Sequence, residues 1–270
     1  MRRKALRLYV FALGLGIRMI LRGMIAEGIK LLISPVGYWR FLPNAFTYHE
    51  FLRFNNPRIL DVSSPKLPSV FFATRTSQEV HATDLDDEKI FSRWKPAADA
   101  LGLANYFVEY QDARHLTYPD ESFDLIYSIS VIEHIPDDGD AVSLREFRRV
   151  LKPGGTLVIQ IPYRRKRDDI WLSIDSKGAP LPEPRFYERY YDMARLNERL
   201  RTDGLTLTTR VIMGEWLNLD PLLSATGRLP RYLRIAIRPF EPLLALVNFW
   251  ARTDDASGYP LGALLVYQKV

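Results

Sequence analysis

The sequence predicts an α/β protein built on a doubly wound, mostly parallel sheet. Between residues 58 and 161, short apolar segments alternate with helical segments, the pattern of strand, crossover helix and parallel strand. Two later strand-like segments, 205–213 and 261–269, are split by a long excursion, so they can pair antiparallel at the sheet edge. The chain has 270 residues and is 47% apolar, enough for one large packed core.

Residues 5–33 read as one long helix, or as two joined near Gly23. Arg3, Lys4, Arg7, Arg18 and Arg22 share a stripe about 100° wide, and most of the remainder is Leu, Ile, Met, Phe and Val. This is the pattern of a helix lying in a membrane interface, and equally of a helix that packs on the domain and shows its bases to water. Ser34 and Pro35 end it. An aromatic-rich connection then runs from Tyr38 to Phe54, with Asn44 capping a short helix that reaches about Asn55. Strands are expected at Arg58–Val62, Glu79–Thr83, Tyr106–Tyr110, Phe123–Ser128 and Thr156–Ile161. The helices between them are Pro65–Arg75, Asp87–Leu101 and Gly139–Leu151. A helix at Asp192–Arg201, capped by Asp192, leads to the strand Leu205–Met213. Pro221–Ala251 is an apolar and basic insertion, broken into short helices by Pro230, Pro239 and Pro242, and Leu261–Lys269 is the final strand. The chain thus divides into an N-terminal segment, 1–56, and a catalytic-type body, 57–270, with an insertion at 217–258. That insertion reads as a cover packed on the body, with a dimer surface and a second interfacial element as alternatives.

The net charge of +5 is unevenly placed. Eight of the 37 bases and one of the 32 acids fall in the first 40 residues, so that segment carries +7 and the rest −2. The basic excess therefore concerns location and gives no ground for a nucleic-acid partner. There is no cysteine, which excludes disulfides, thiolate nucleophiles and cysteine zinc sites. His49, His81, His115 and His134 are too scattered for a local metal motif, and no metal is expected. The longest early uncharged run, Leu8–Ile17, is well short of the ~18 residues of a spanning helix. It has the form of a signal-peptide core, but no clear small-x-small cleavage site follows it.

Four segments carry chemistry: ILDVSSPK from Ile59, VHATDLD from Val80, QDARHLTYPDESFDLIYS from Gln111 leading into VIEHI from Val131, and REFRRVLKPGGTLVI from Arg145. In combination they resemble the class I S-adenosylmethionine-dependent methyltransferases, in particular the bacterial type 11 group. The resemblance covers roughly residues 57–213. It implies a Rossmann-like sheet with an antiparallel last strand, here with an N-terminal helical extension and a helical insertion before that strand. It also implies S-adenosyl-L-methionine as cofactor. Asp84, at the end of the second strand, would accept both ribose hydroxyls, with Leu85 beside it; the alternative for Asp84 is a helix cap, a role also open to Asp86. Asp112 would accept from the adenine amino group while the backbone N–H of Ala113 reaches the ring, the alternative being a plain Asx-turn. Ser128 to Ser130 would line the methionine side.

The departure lies after Asp61. The family places alternating glycines there, and this chain has Ser63, Pro65 and Leu67. Ser63 or Ser64 can cap the following helix, and proline suits its first turn, so the helix start can still offer N–H groups to a carboxylate. Glu133 and His134 are the candidate bases, with shaping of the pocket as the alternative. Arg164, Arg165, Lys166 and Arg167 follow the fifth strand and could hold an anionic part of the acceptor; the alternative is a solvated loop. The reading is a cytoplasmic methyltransferase acting on a small-molecule, glycan or lipid-linked acceptor. Residues 1–34 would rest on an anionic membrane surface at the inner face. The alternative is a non-catalytic binding or scaffolding member with the same fold. A nicotinamide oxidoreductase fails on the missing G-x-G-x-x-G.

Overall fold

The computed structural model describes residues 1–85, 93–174, 179–223, 230–254 and 258–270. Asp86, the start of the helix expected at Asp87, and Arg228 and Leu229 of the insertion lie outside the described residues. The strands are β1 (Ile59–Val62), β2 (Val80–Asp84), β3 (Tyr106–Tyr110), β4 (Phe123–Ile129), β5 (Leu151–Pro162), β6 (Asp168–Ile174), β7 (Pro180–Tyr190), β8 (Leu205–Glu215), β9 (Phe249–Arg252) and β10 (Tyr259–Lys269). The helices are α1 (Arg2–Leu21), α2 (Ile25–Ile33), α3 (Phe41–Phe51), α4 (Leu67–Ala73), α5 (Lys95–Ala100), α6 (Gly139–Val150), α7 (Met193–Arg199), α8 (Asp220–Leu223), α9 (Arg231–Ile237) and α10 (Glu241–Asn248).

Among the described residues the main sheet runs β3-β2-β1-β4-β5-β10-β8-β9. The first five strands are parallel, and β10, β8 and β9 are antiparallel. The strand order reverses between β1 and β4, which opens a crevice at their carboxyl ends. Alternating side chains supply two cores. Ile59, Leu125, Tyr127 and Val158 face the side covered by α1, α3 and α4. Leu60, Ile126, Leu157 and Ile159 face Leu144, Phe147 and Val150 of α6 and Leu196 of α7.

The helical stretch expected at 5–33 is two helices, α1 and α2, and Gly23 at φ +84° makes the break that the sequence pointed to. One face of α1 is buried through Ala5, Leu8, Ala12, Leu15 and Met19, and Phe11 meets Phe71 edge-on at 5.0 Å. The expected cap at Asn44 is corrected. Helix α3 continues directly from a 3₁₀ turn at Tyr38–Arg40, so Asn44 lies buried inside it with its Oδ1 unpartnered. Asp192 does cap α7, accepting from the Arg195 N–H at 2.8 Å. The hairpin β6–β7 was not legible as strands. It stands apart from the main sheet, and β7 packs on a 3₁₀ turn at Ile132–His134.

A buried carboxylate fixes that region. Asp140 in the first turn of α6 accepts from Tyr191 Oη at 2.7 Å and from Arg199 at 2.7 and 2.9 Å, and pairs with Arg189 at 3.2 Å. Burial alone would raise its pKa, but Arg199, Tyr191 and Arg189 hold it below the usual carboxylate range. Arg189 and Arg199 also donate to the Asp137 carbonyl, at 2.8 and 2.6 Å. Asp140 therefore ties the loop carrying Glu133 and His134 to β7 and α7. Replacing Asp140 with Ala should lower the unfolding free energy by about 3–5 kcal/mol, because it leaves buried cations uncompensated. Urea denaturation near neutral pH checks this, and a loss under 1 kcal/mol (about the value of an exposed pair) contradicts the role given to Asp140.

Candidate active site

The end of β1 is held by a buried ion pair. Asp61 is fully buried, and its carboxylate accepts from Lys66 Nζ at 3.0 Å, Tyr127 Oη at 2.9 Å and the Ser64 N–H at 3.0 Å. Burial pushes the Asp61 carboxyl up, and the Lys66 ammonium opposes that. Lys66 also donates to the Thr83 carbonyl at 2.7 Å, which fastens the loop to the end of β2. The Ser64 hydroxyl accepts from the Ile129 N–H at 2.8 Å and joins the loop to β4. Ser63 adopts φ +50°, so the left-handed backbone that glycine usually supplies is present without glycine. Leu67 faces the core at the start of α4 and does not obstruct the crevice.

A cavity of about 440 Å³ opens at this crevice, within the range of small-ligand sites. Ser63, Asp84, Leu85, Asp112, Ala113, Arg114 and Ser130 line it, together with Val131, His134, Ile135 and Pro136. The structure thus brings Ser63, Asp84, Leu85, Asp112 and Ala113 together. Asp84 accepts from the Leu85 N–H at 2.9 Å. Asp112 accepts from the Arg114 N–H at 2.9 Å, an Asx-turn, and from the Arg114 guanidinium at 2.6 Å. Hydrogen bonding by Arg114 holds the Asp112 carboxyl below its usual range. Asp61 and Ser64 sit behind the cavity wall as supports. Ser128 is buried within β4 with an unpartnered hydroxyl, whereas Ser130, at φ +52°, reaches the cavity.

A second cavity of about 440 Å³ adjoins the first, and Ser130 and His134 line both. Its other walls include Trp39, Arg40, Gln160, Arg164, Tyr187 and Glu188. His134 Nδ1 lies 2.7 Å from the Tyr187 carbonyl, which can only accept, so Nδ1 carries a proton, and in the neutral ring the lone pair is on Nε2. Glu133 is fully buried, with neither carboxylate oxygen hydrogen-bonded, and lies 4.0 Å from His134 Nε2. Burial pushes its pKa up to about 8. Burial also raises Glu188, and it lowers the Arg40 guanidinium against the pull of Glu133 and Glu188.

Of the basic run, Arg164 lines the second cavity, with its guanidinium 3.7 Å from the Tyr190 ring centre. Arg165 donates to the Gly258 carbonyl at 3.1 Å, and Arg167 lies 3.7 Å from Glu198. Lys166 is exposed. The four bases therefore do not converge on one point. Trp39, Arg40, Tyr187 and Glu188 were missed by sequence reading. The run Arg185-Phe-Tyr-Glu-Arg-Tyr190 has no period-two alternation, and its aromatic residues were the available signal for β7.

Fold and site define an α/β domain with a cavity at its switch point and a second chamber beside it. Residues 61–159 match the family model of the methyltransferase domain. The chain is 30% identical over 154 residues to the methyltransferase GfsG of Streptomyces halstedii, covering 56% of this chain and 54% of that one. It is 48% identical over 70 residues to the 2-methyl-6-phytyl-1,4-hydroquinone methyltransferase of a Synechocystis strain, covering 26% of this chain and 19% of the relative. It thus spans about half, or less, of the length of these relatives. Among solved structures the cyclase SpnF has the same fold, with a TM-score of 0.54 at 17% identity over 86% of each chain.

The unpartnered Glu133 sets a pH dependence. Between its ordinary value of 4.5 and about 8, the folded chain keeps a proton that the unfolded chain has released. Stability therefore falls as pH rises through that window. The advantage of E133Q over the parent in urea midpoint should grow from about pH 5 to about pH 8. A pH-independent difference would mean that Glu133 is ionised throughout.

Proposed function

We propose that this chain is an S-adenosylmethionine-dependent methyltransferase whose acceptor sits in the chamber walled by Trp39, Arg40, Gln160, Arg164, Tyr187 and Glu188. The observation that carries the reading is the meeting of the two cavities at Ser130 and His134. The residues of the first cavity fit the cofactor: a carboxylate at the end of β2, an acid and a backbone amide after β3, apolar Leu85 and Ile135, and the left-handed turn at Ser63. Asp84 would hold the ribose hydroxyls, and Asp112 with Ala113 the adenine edge. Asp61 acts by keeping the loop in shape. When bound, S-adenosylmethionine supplies a methyl group on a sulfonium sulfur.

The protein's own work is alignment and proton handling. His134, with its tautomer set by the Tyr187 carbonyl, would take the proton of an acceptor hydroxyl at Nε2, leaving the oxygen's electron pair available to the methyl group. The resulting imidazolium lies beside the buried Glu133 and near Glu188. The mixed charge of the chamber, with Arg40 and Arg164 opposite Glu188 and Asp220, supports a polar or anionic head. Its aromatic walls suit a ring. We take the acceptor to be a glycan-bearing or lipid-linked molecule close to a membrane. A relative named for a phytyl hydroquinone and the +7 N-terminal segment support that choice. Residues 1–34 then serve as the interfacial segment on the cytoplasmic face. No described helix is long and apolar enough to cross a membrane, so α1 and α2 would lie on it.

Because the same fold includes a cyclase, cofactor binding is measured first. Calorimetric titration with S-adenosylhomocysteine should show saturable binding that Asp84→Ala abolishes, with the variant still folded by circular dichroism. No heat at millimolar ligand would overturn the enzyme reading in favour of a binding or scaffolding role.

A further inference from the structure

The N-terminal helices and the distant insertion expose apolar rows on adjoining elements. On α1 the exposed large apolar residues are Leu6, Val10, Ile17 and Leu21, the last 79% exposed, at the spacing of one helix face. On α2 they are Ile25, Ile29 and Ile33, four residues apart. The two helices cross backbone to backbone: a Cβ on Gly28 would lie 2.6 Å from the Gly16 carbonyl oxygen. Helix α2 in turn touches the 3₁₀ turn Arg238–Phe240 that precedes α10. There the insertion exposes Phe240 at 58%, Leu243 at 61% and Val247 at 70%, again at one-face spacing. Scattered surface hydrophobics are normal; rows on three adjoining elements, drawn from segments 200 residues apart, are not.

The charge beside these rows selects the partner. Arg2, Arg3, Arg18, Arg22, Lys30 and Arg238 are exposed. Glu27, the one acid among the first 40 residues, is already paired with Lys30 and with Arg93 at 3.5 Å. A second copy of this chain would bring two such cationic segments together. An anionic bilayer matches both the apolar rows and the bases.

We propose that α1, α2 and the segment 238–247 form one composite face that docks on an anionic lipid bilayer. This rests on the reading of residues 1–34 as interfacial and adds the insertion as a second half. The face is coupled to the acceptor chamber. Tyr38, which follows α2, donates its N–H to Glu241 of α10 at 2.9 Å, and the neighbouring Trp39 indole bonds Asp220 at 2.9 Å. Docking therefore holds a wall of the chamber close to the lipid surface.

The test is co-sedimentation of the full chain with phosphatidylcholine vesicles, with and without phosphatidylglycerol. The variants are Ile17→Glu/Leu21→Glu on the helical hairpin formed by α1 and α2 and Leu243→Glu/Val247→Glu on the insertion. These side chains are exposed, so the fold should survive, which circular dichroism checks. The parent should bind anionic vesicles, less so at high salt, and each double variant should lower partitioning by at least about tenfold. If only the hairpin variant loses binding, the composite face is overturned while the interfacial N-terminal segment stands. If the parent does not bind at all, both fail. A parent dimer in size-exclusion chromatography that either variant dissolves, without vesicle binding, would make the face a self-association surface and overturn the proposal. S-adenosylhomocysteine titration of the same variants should be unchanged, which separates failure of docking from failure of the methyltransferase reading.

Discussion

The Asp61 carboxylate lies in the core at the end of β1, and it holds there only because Lys66 is buried with it. A lone buried carboxylate would cost several kcal/mol, and so would a lone buried ammonium. Together with Tyr127 Oη and the Ser64 N–H they form a satisfied set, and Lys66 carries it across to the Thr83 carbonyl at the end of β2. The tips of β1 and β2 are thereby fixed, and Ser64 adds the tip of β4. The crevice at the switch point keeps its shape because of this set. A glycine-rich turn lets backbone approach a ligand closely through the absence of side chains. This chain keeps the required left-handed residue at Ser63 and holds the rest of the loop with polar contacts.

The second chamber follows a different logic. Glu133 has no hydrogen-bond partner, Arg40 is drawn toward Glu133 and Glu188, and His134 is oriented by a backbone carbonyl. Ser130 and His134, which line both cavities, are hydrogen-bonded to Gln160 Oε1 and to the Tyr187 carbonyl, each at 2.7 Å, so the unsatisfied group at the junction is Glu133. An unsatisfied buried carboxyl is costly, so the place of Glu133 beside this junction is consistent with one where ligand completes the network. Asp140 holds this arrangement from behind, through Arg189, Tyr191 and Arg199, without touching the chamber itself.

The sequence determined much of the frame. The strand and helix alternation, the cap at Asp192, the break at Gly23 and the acids that follow β2 and β3 were legible. In a parallel sheet, residues just past each strand must gather at one edge, so local patterns along the chain fix where those acids lie. Even the loss of glycine after Asp61 could be weighed, although Lys66, the only base between residues 59 and 73, was not recognised as the partner of the only acid there.

The second chamber was decided by the tertiary structure. Trp39 and Arg40 come from the N-terminal connection, His134 from the turn after β4, Arg164 from the end of β5, and Tyr187 and Glu188 from a hairpin whose strands alternate too weakly to announce themselves. None of these residues is near another in sequence, apart from adjacent pairs, and no local period links them. The same holds for the apolar rows: each helix shows its own amphipathic pattern, but whether its second apolar face is covered depends on what folds against it. Covalent order sets propensity and strand-end position; burial, charge pairing and the identity of neighbours are set by long-range contact, and those contacts form the chamber and leave the rows bare.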